Sequence, residues 1–157
     1  MWETVLSTLR AEFSDVPDAE QVTRILTRLL LAALLGGVLG YEREHKGKAA
    51  GIRTHMLVAM GSALFVLVPL LGGMLPGDLS RVLQGVIAGV GFLGAGAIVK
   101  QRAEENVQGL TTAAGIWMTA AIGVACGMGR ESTAVISTLL ALVVLALLPR
   151  PDVPPRH

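Results

Sequence analysis

Four long apolar runs without a single Asp, Glu, Lys or Arg dominate the sequence. They cover residues 56–74, 82–99, 110–129 and 132–148. A helix needs about 20 apolar residues to cross a hydrocarbon core of about 30 Å, and each run is close to that length. Because 52% of the 157 residues are apolar and only 16% are charged, the composition also suits lipid better than water. We therefore expect four membrane-spanning helices.

A fifth, shorter apolar run covers residues 29–41 and is bounded by Arg28 and Glu42. An Arg near a helix end can extend its side chain to the membrane surface, so the span can begin before this run. The alternative for so short a run is a buried helix in a soluble core, but the four neighbouring runs favour a membrane span. The predicted fold is all-α, a polytopic membrane helix bundle of about five transmembrane helices.

Basic residues predict the orientation of this bundle. With five spans, most of the basic residues fall on a single side of the membrane: Arg43, Lys46, Lys48, Arg53, Lys100, Arg102, Arg150 and Arg156. The loops of the opposite side carry only Arg81 and Arg130. By the positive-inside rule we expect the N-terminus outside the cell and the C-terminus in the cytoplasm.

The chain divides into three segments by composition. Residues 1–20 are predicted to form an extracytoplasmic amphipathic segment, residues 21–148 the transmembrane domain, and residues 149–157 a disordered cytoplasmic tail. In the first segment, apolar residues recur at helical spacing on one face: Trp2, Val5, Leu6, Leu9 and Phe13. This face predicts a short helix that lies along the membrane surface.

Glycines are concentrated in the run GVIAGVGFLGAGAIVK at residues 85–100. An interior glycine costs a helix about 0.5–1 kcal/mol relative to alanine, so we expect compensation by close helix packing. In the first span, Arg28, Gly36 and Gly40 lie on one ridge spaced by multiples of four residues. The other residues expected at helix contacts are Gly85, Gly89, Gly91, Gly94, Gly96, Gly109 and Trp117.

Charged and hydroxyl side chains cluster at the predicted cytoplasmic ends of the spans. The candidate site residues are Glu42, Arg43, Glu44, Arg53, Thr54, His55, Lys100, Thr111 and Thr112. They can form an ion-pair network that pins helix ends together, or line a pocket for an anion of phosphate size. For the two threonines, capping of a helix start is a further, purely structural interpretation.

The remaining reactive residues give no sign of a metal or catalytic site. The three histidines are scattered, and the lone Cys126 lies inside a span, where we expect it to be a small packing residue. The sequence has no HExxH or GxSxG motif and no pair of carboxylates inside the spans, so an intramembrane enzyme has little support. We expect no cofactor, no metal site and no nucleic-acid partner.

Four segments in the same order resemble the membrane domain of the bacterial MgtC/SapB family. They read RLLLAALLGGVLGYERE, AGIRTHMLV, GVGFLGAGAIVK and GLTTAAGIWMTAAIGVACGMG, and the resemblance covers about residues 28–148. Many relatives continue into a soluble cytoplasmic domain, whereas this sequence stops at His157. Some members also have Asn and Cys where this sequence has Thr111 and Met118, so the virulence role known for a subset of members is not assumed for this chain.

The resemblance implies a multi-pass protein of the bacterial inner membrane, linked to magnesium limitation or envelope homeostasis. One hypothesis is a non-enzymatic protein that binds a membrane-protein partner or senses a condition, and the family suggests the proton-translocating ATP synthase as partner. The alternative is a transporter or channel for a small ion, or for an anionic or lipid substrate. Magnesium fits poorly, because Glu42, Glu44, Asp78 and Glu131 all lie at span ends. Besides the lipid bilayer, we expect a second copy as partner, most simply in a dimer.

Overall fold

The computed structural model describes residues 1–14, 18–75, 77–99 and 109–147, and all regular structure in these ranges is α-helical. The helices are α1 (Trp2–Glu12), α2 (Ala19–His45), α3 (Ile52–Leu71), α4 (Leu79–Val99), α5 (Leu110–Gly127) and α6 (Glu131–Leu147). Helices α2 to α5 are long and apolar enough to cross a membrane, and α6 is a shorter apolar helix of 17 residues. The predicted polytopic helical bundle is confirmed.

Helix α2 begins well before the apolar run that predicted it. Asp18 caps its start, with the carboxylate oxygen Oδ1 accepting the backbone N–H of Gln21 at 2.8 Å. One turn further, Arg24 forms an ion pair with Glu20 at 2.6 Å. These polar first turns extend the first span to 27 residues, about 40 Å at 1.5 Å per residue.

The core of the bundle is formed by α2, α3 and α5, which pack directly on one another. Most of its fully buried residues are small, among them Ala32, Ala59, Ala63 and Cys126, each with 0% exposure. Small side chains let helix backbones approach closely, which is how helices associate in lipid, where burial of apolar surface gives little driving force. The prediction that Cys126 is a small packing residue is thus confirmed.

Arg28 joins three helices at one end of this core. Its Nη1 donates to the carbonyl oxygen of Gly127 at 3.0 Å, at the end of α5, and its Nε lies 3.8 Å from Oε1 of Glu131, at the start of α6. Between them Gly129 adopts a φ of +71°, and a side chain there would collide with the guanidinium of Arg28. Arg28 therefore fixes the α5–α6 turn against α2.

Helix α4 lies at the edge of the bundle. It packs mainly on α5 and only lightly on α3. Of the 18 residues that form its most apolar stretch, only 11% are buried in the bundle, against 50% for the corresponding stretch of α5. Much of its surface is therefore free to meet lipid or another helix.

The N-terminal helix α1 has no buried residue and contacts no other described helix. Its predicted apolar face is present, and Trp2 and Phe13 are 72% and 82% exposed. At the other end of the chain, the predicted tail at residues 149–157 lies outside the described residues. Helix α3 ends at Leu71, two residues after Pro69.

Candidate functional site

The candidate residues gather at one end of the bundle, where α2 ends and α3 and α5 begin; we call this the polar end. Three of them are buried: Arg43 at the end of α2, His55 in the first turn of α3, and Thr112 in the first turn of α5 are each at most 2% exposed. Topology alone brings these residues together, because antiparallel neighbours place the end of one helix beside the start of the next.

Arg43 is a buried cation with incomplete partners. Its Nη1 lies 3.5 Å from Oε2 of Glu42, the preceding residue. Among the described residues, its Nε and Nη2 have no hydrogen-bond partner. A buried guanidinium normally has its donors satisfied, so these two nitrogen atoms mark a place where a further acceptor can bind.

Glu42 also connects Arg43 to α6. Its Oε1 forms an ion pair with Nζ of Lys46 at 2.6 Å, and the same ammonium donates to the carbonyl oxygen of Leu145 at 2.7 Å. Thus the ends of α2 and α6 lie on the same side of the bundle. Part of the predicted ion-pair network is therefore present, centred on the carboxylate of Glu42.

His55 presents an unpaired ring nitrogen to α5. Its Nδ1 lies 3.0 Å from the carbonyl oxygen of Gly51, and because a carbonyl only accepts, we assign the ring hydrogen to Nδ1. The other nitrogen, Nε2, has no partner among the described residues, and a Cβ at Gly115 would lie 3.7 Å from it. In the neutral ring Nε2 is then an acceptor. The polar end thus offers donors from Arg43 and an acceptor from His55.

The other candidate residues are exposed and do not join this buried group. Glu44, Arg53, Thr54 and Thr111 all face the surface. Glu44 caps α3, since its Oε2 accepts the backbone N–H of Ile52 at 2.9 Å. Neither threonine supplies the cap of α5, which begins after Gly109, in the left-handed region at φ +100°, with no side-chain cap. Lys100 lies outside the described residues.

The residues expected at helix contacts fall into two groups. In α2, a Cβ at Gly36 would stand 2.6 Å from the carbonyl oxygen of His55, and one at Gly40 would stand 2.6 Å from Cα of Ile52. These two glycines let α2 and α3 touch. In α4, a Cβ at Gly94 would stand 3.5 Å from Cβ of Ala113 in α5, which is ordinary van der Waals contact.

The remaining glycines of α4 have no close neighbour among the described residues. A Cβ at each of four positions would find no described atom within 4 Å: Gly85, Gly89, Gly91 and Gly96. At these positions the described part of the chain does not show the close packing that we expected. Trp117, also expected at a helix contact, is 51% exposed.

The tightest helix contact was missed by the sequence argument. Side chains at Gly123 and Gly127 of α5 would collide with the backbone carbonyls of Ala59 and Ala63 in α3. Both glycines belong to a row of small residues spaced by four that starts at Gly115 and passes through Thr119. The same spacing rule that identified Gly36 and Gly40 would have found them.

The described part of the chain holds no group of three or more His, Cys, Asp and Glu side chains that could bind a metal ion. The only charged side chain that is fully buried there is Arg43. The polar end is therefore suited to a small polar or anionic group.

These features define a multi-pass helical membrane protein with a buried, partly unpaired polar group at one end of its bundle. The sequence matches the MgtC family over residues 29–152, and the chain belongs to that family. No solved structure matches it.

Three relatives show how far the similarity extends. Protein SrpB of Synechococcus elongatus is 49% identical over 133 residues, which cover 76% of this chain and 71% of SrpB. The Escherichia coli protein named "Putative magnesium transporter YhiD" is 44% identical over 76% of this chain and 58% of its own length. Protein MgtC of Brucella abortus is 46% identical over 74% of this chain and 48% of its own length. The chain thus spans about half to seven-tenths of these relatives.

Proposed function

We propose that this chain is a non-enzymatic protein of the bacterial inner membrane, linked to magnesium limitation, that acts by binding a membrane-protein partner through α4. Its orientation is the one that the positive-inside rule predicts, with the N-terminus outside and the polar end in the cytoplasm. The family resemblance makes the proton-translocating ATP synthase the first partner to test, and a second copy is the simplest partner of all.

One observation carries this proposal: α4 has an exposed face of small residues that the described part of the chain leaves uncovered. Ala88, Gly91 and Ala95, spaced by three and four residues, lie on one side of α4, and all three are exposed. We call them the outer face. Gln84, also exposed, precedes this row by one turn and adds an amide that can bond across a helix interface.

The energetic argument favours a partner over lipid at the outer face. Glycine in a helix costs about 0.5–1 kcal/mol relative to alanine, and lipid tails give nothing in return. Close contact with another helix offsets this cost, because a glycine lets the two backbones approach and make dispersion contacts. The position of Gly91 on a surface that this chain leaves open therefore supports contact with another membrane helix.

The test compares two leucine substitutions placed two residues apart on α4. Gly91→Leu puts a large side chain on the outer face, whereas Gly89→Leu is its matched control on the opposite side of the helix. Each variant is purified in mild detergent, its oligomeric state is measured by sedimentation, and the membrane eluate is probed for ATP synthase subunits. Loss of the dimer or of the synthase with Gly91→Leu alone supports the proposal. A wild-type protein that is monomeric and carries no partner above background, at several expression levels, contradicts it.

Transport of an anion is a second candidate, and the unpaired nitrogen atoms of Arg43 favour it over magnesium transport. A cation path normally shows acidic side chains within the spans, and in the described helices the acids lie at the ends. The test is flux of phosphate into proteoliposomes with wild-type protein, Arg43→Gln and Arg53→Ala. Flux that neither substitution changes removes this candidate.

A further inference from the structure

Two cavities lie in line along α3. A polar pocket of about 540 Å³ surrounds the start of the helix and is lined by Glu44, Gly51, Ile52, Arg53 and Thr54. An apolar groove of about 570 Å³ runs between α3 and α4, from residues 57–65 of the first helix to residues 82–93 of the second. We call these the polar pocket and the α3–α4 groove.

Helical spacing places one residue of the polar pocket, Thr54, in line with the α3–α4 groove. Thr54 of the pocket precedes Val58 and Gly61 of the groove by four and seven residues, so the three share one face of α3. The groove follows α4 for 11 residue steps, about 16 Å at 1.5 Å per residue. That is about half of a 30 Å hydrocarbon core, the depth of one lipid leaflet.

The lining of the groove favours a hydrocarbon chain. The groove is about 16 Å long, and its lining consists of leucine, valine, phenylalanine and glycine residues with Ser62 as the one hydroxyl. The polar pocket near its end adds charged groups to this apolar lining, and the two together match the acyl chain and the headgroup of one lipid.

The polar pocket carries both charges of a zwitterionic headgroup. Arg53 is exposed and, within the described residues, has neither an ion pair nor a hydrogen bond from its side chain. Glu44 is also exposed, and its Oε2 accepts the N–H of Ile52. A guanidinium binds phosphate well, and the start of α3 favours the same negative charge. A carboxylate beside them discourages a purely anionic headgroup and attracts an ammonium group.

We propose that the polar pocket and the α3–α4 groove together bind one phospholipid with a zwitterionic headgroup of the phosphoethanolamine type. Its phosphate meets Arg53 and Thr54, its ammonium group meets Glu44, and one acyl chain lies in the groove over Gly61, Gly85 and Gly89. This inference does not depend on partner binding through the outer face, and a lipid held here need not be transported.

The experiment uses the full chain, stripped of lipid in mild detergent and returned to defined lipids, with bound lipid counted by native mass spectrometry. The probes are phosphatidylethanolamine and phosphatidylglycerol. For the wild type we expect one phosphatidylethanolamine bound about fivefold more tightly than phosphatidylglycerol, the ratio that a single exposed ion pair of up to 1 kcal/mol supplies. Glu44→Gln keeps the cap of α3 but should bring this ratio close to one. Arg53→Gln should weaken both lipids.

The groove is tested separately by filling it. A Cβ at Gly89 meets no atom within 4 Å, so Gly89→Leu can fold while its side chain occupies the groove. We expect it to weaken both lipids about tenfold or more, and Gly91→Leu, on the outer face, to leave lipid binding unchanged. The proposal is overturned if the wild type shows no preference for phosphatidylethanolamine, if both leucine variants lose lipid equally, or if Gly89→Leu keeps its lipid and dissociates the oligomer. If only the proposed partner binding is wrong, the oligomeric state of Gly91→Leu shows it, and the lipid measurements are unaffected.

Discussion

Substitution of Gly123 by alanine tests the contact that holds α3 and α5 together. The added Cβ would collide with the carbonyl oxygen of Ala59 and stand 2.9 Å from its Cα, both backbone atoms that cannot rotate away. Ordinary carbon contacts are about 3.5–4.0 Å, so the two helices must separate by about 1 Å. Overpacking of this kind costs about 1–3 kcal/mol, while alanine recovers about 0.5–1 kcal/mol of helix propensity. The net expectation is a loss of about 1–2 kcal/mol.

The assay is thermal unfolding of the purified protein in detergent, followed by the fraction that remains monodisperse on size exclusion. For a chain of 157 residues, 1 kcal/mol corresponds to about 2–4 °C, so Gly123→Ala should lower Tm by about 2–8 °C. Gly91→Ala is the matched control, because a Cβ there meets nothing within 4 Å and Tm should stay or rise slightly. Equal Tm values for the two variants would refute the packing argument.

Three further predictions concern single side chains. Arg28→Ala should cost about 1.5–3 kcal/mol, because a charged hydrogen bond to the end of α5 is lost, whereas Arg24→Ala, which removes an exposed ion pair, should cost at most about 0.5 kcal/mol in the same unfolding assay. Arg43→Met should leave Tm unchanged or raise it, because it removes two buried donors that have no partner among the described residues, and a clear drop in Tm would show that these donors are satisfied. Cys126 should react with a maleimide only after denaturation in detergent, because it is buried. Labelling of Cys126 in native membranes, detected by mass spectrometry, would contradict this prediction.

The sequence was a good guide to the fold because the bilayer imposes a length on each span. Runs without charge can be counted, and four of the five predicted spans correspond to helices long enough to cross a membrane, with α6 as the shorter fifth. Helix ends were less predictable, because polar residues continue a helix beyond the bilayer. The capping of α2 by Asp18, eleven residues before the first apolar run, is one example.

The sequence located the polar end but did not separate its buried residues from its exposed ones. Arg43 and Glu44 are neighbours in sequence, yet one is buried and the other exposed, because consecutive residues in a helix point about 100° apart. Which of them faces the core depends on the rotation of α2 about its axis, and that is set by Gly36 and Gly40 against α3. The polar residues themselves carry no signal of that rotation.

A glycine in a membrane helix predicts that another element packs closely against it, but it does not identify that element. In α2 and α5 the approaching element is α3, and the contacts are complete within this chain. In α4, Gly89 and Gly91 are only two residues apart, but a helix turns by about 200° over that distance, so they open on opposite surfaces. One surface is a groove with a charged pocket above it, and the other is a flat row of small residues. Because so little of α4 is buried, contacts within the described bundle do not explain most of its glycines, and their two surfaces are those for which we propose different occupants.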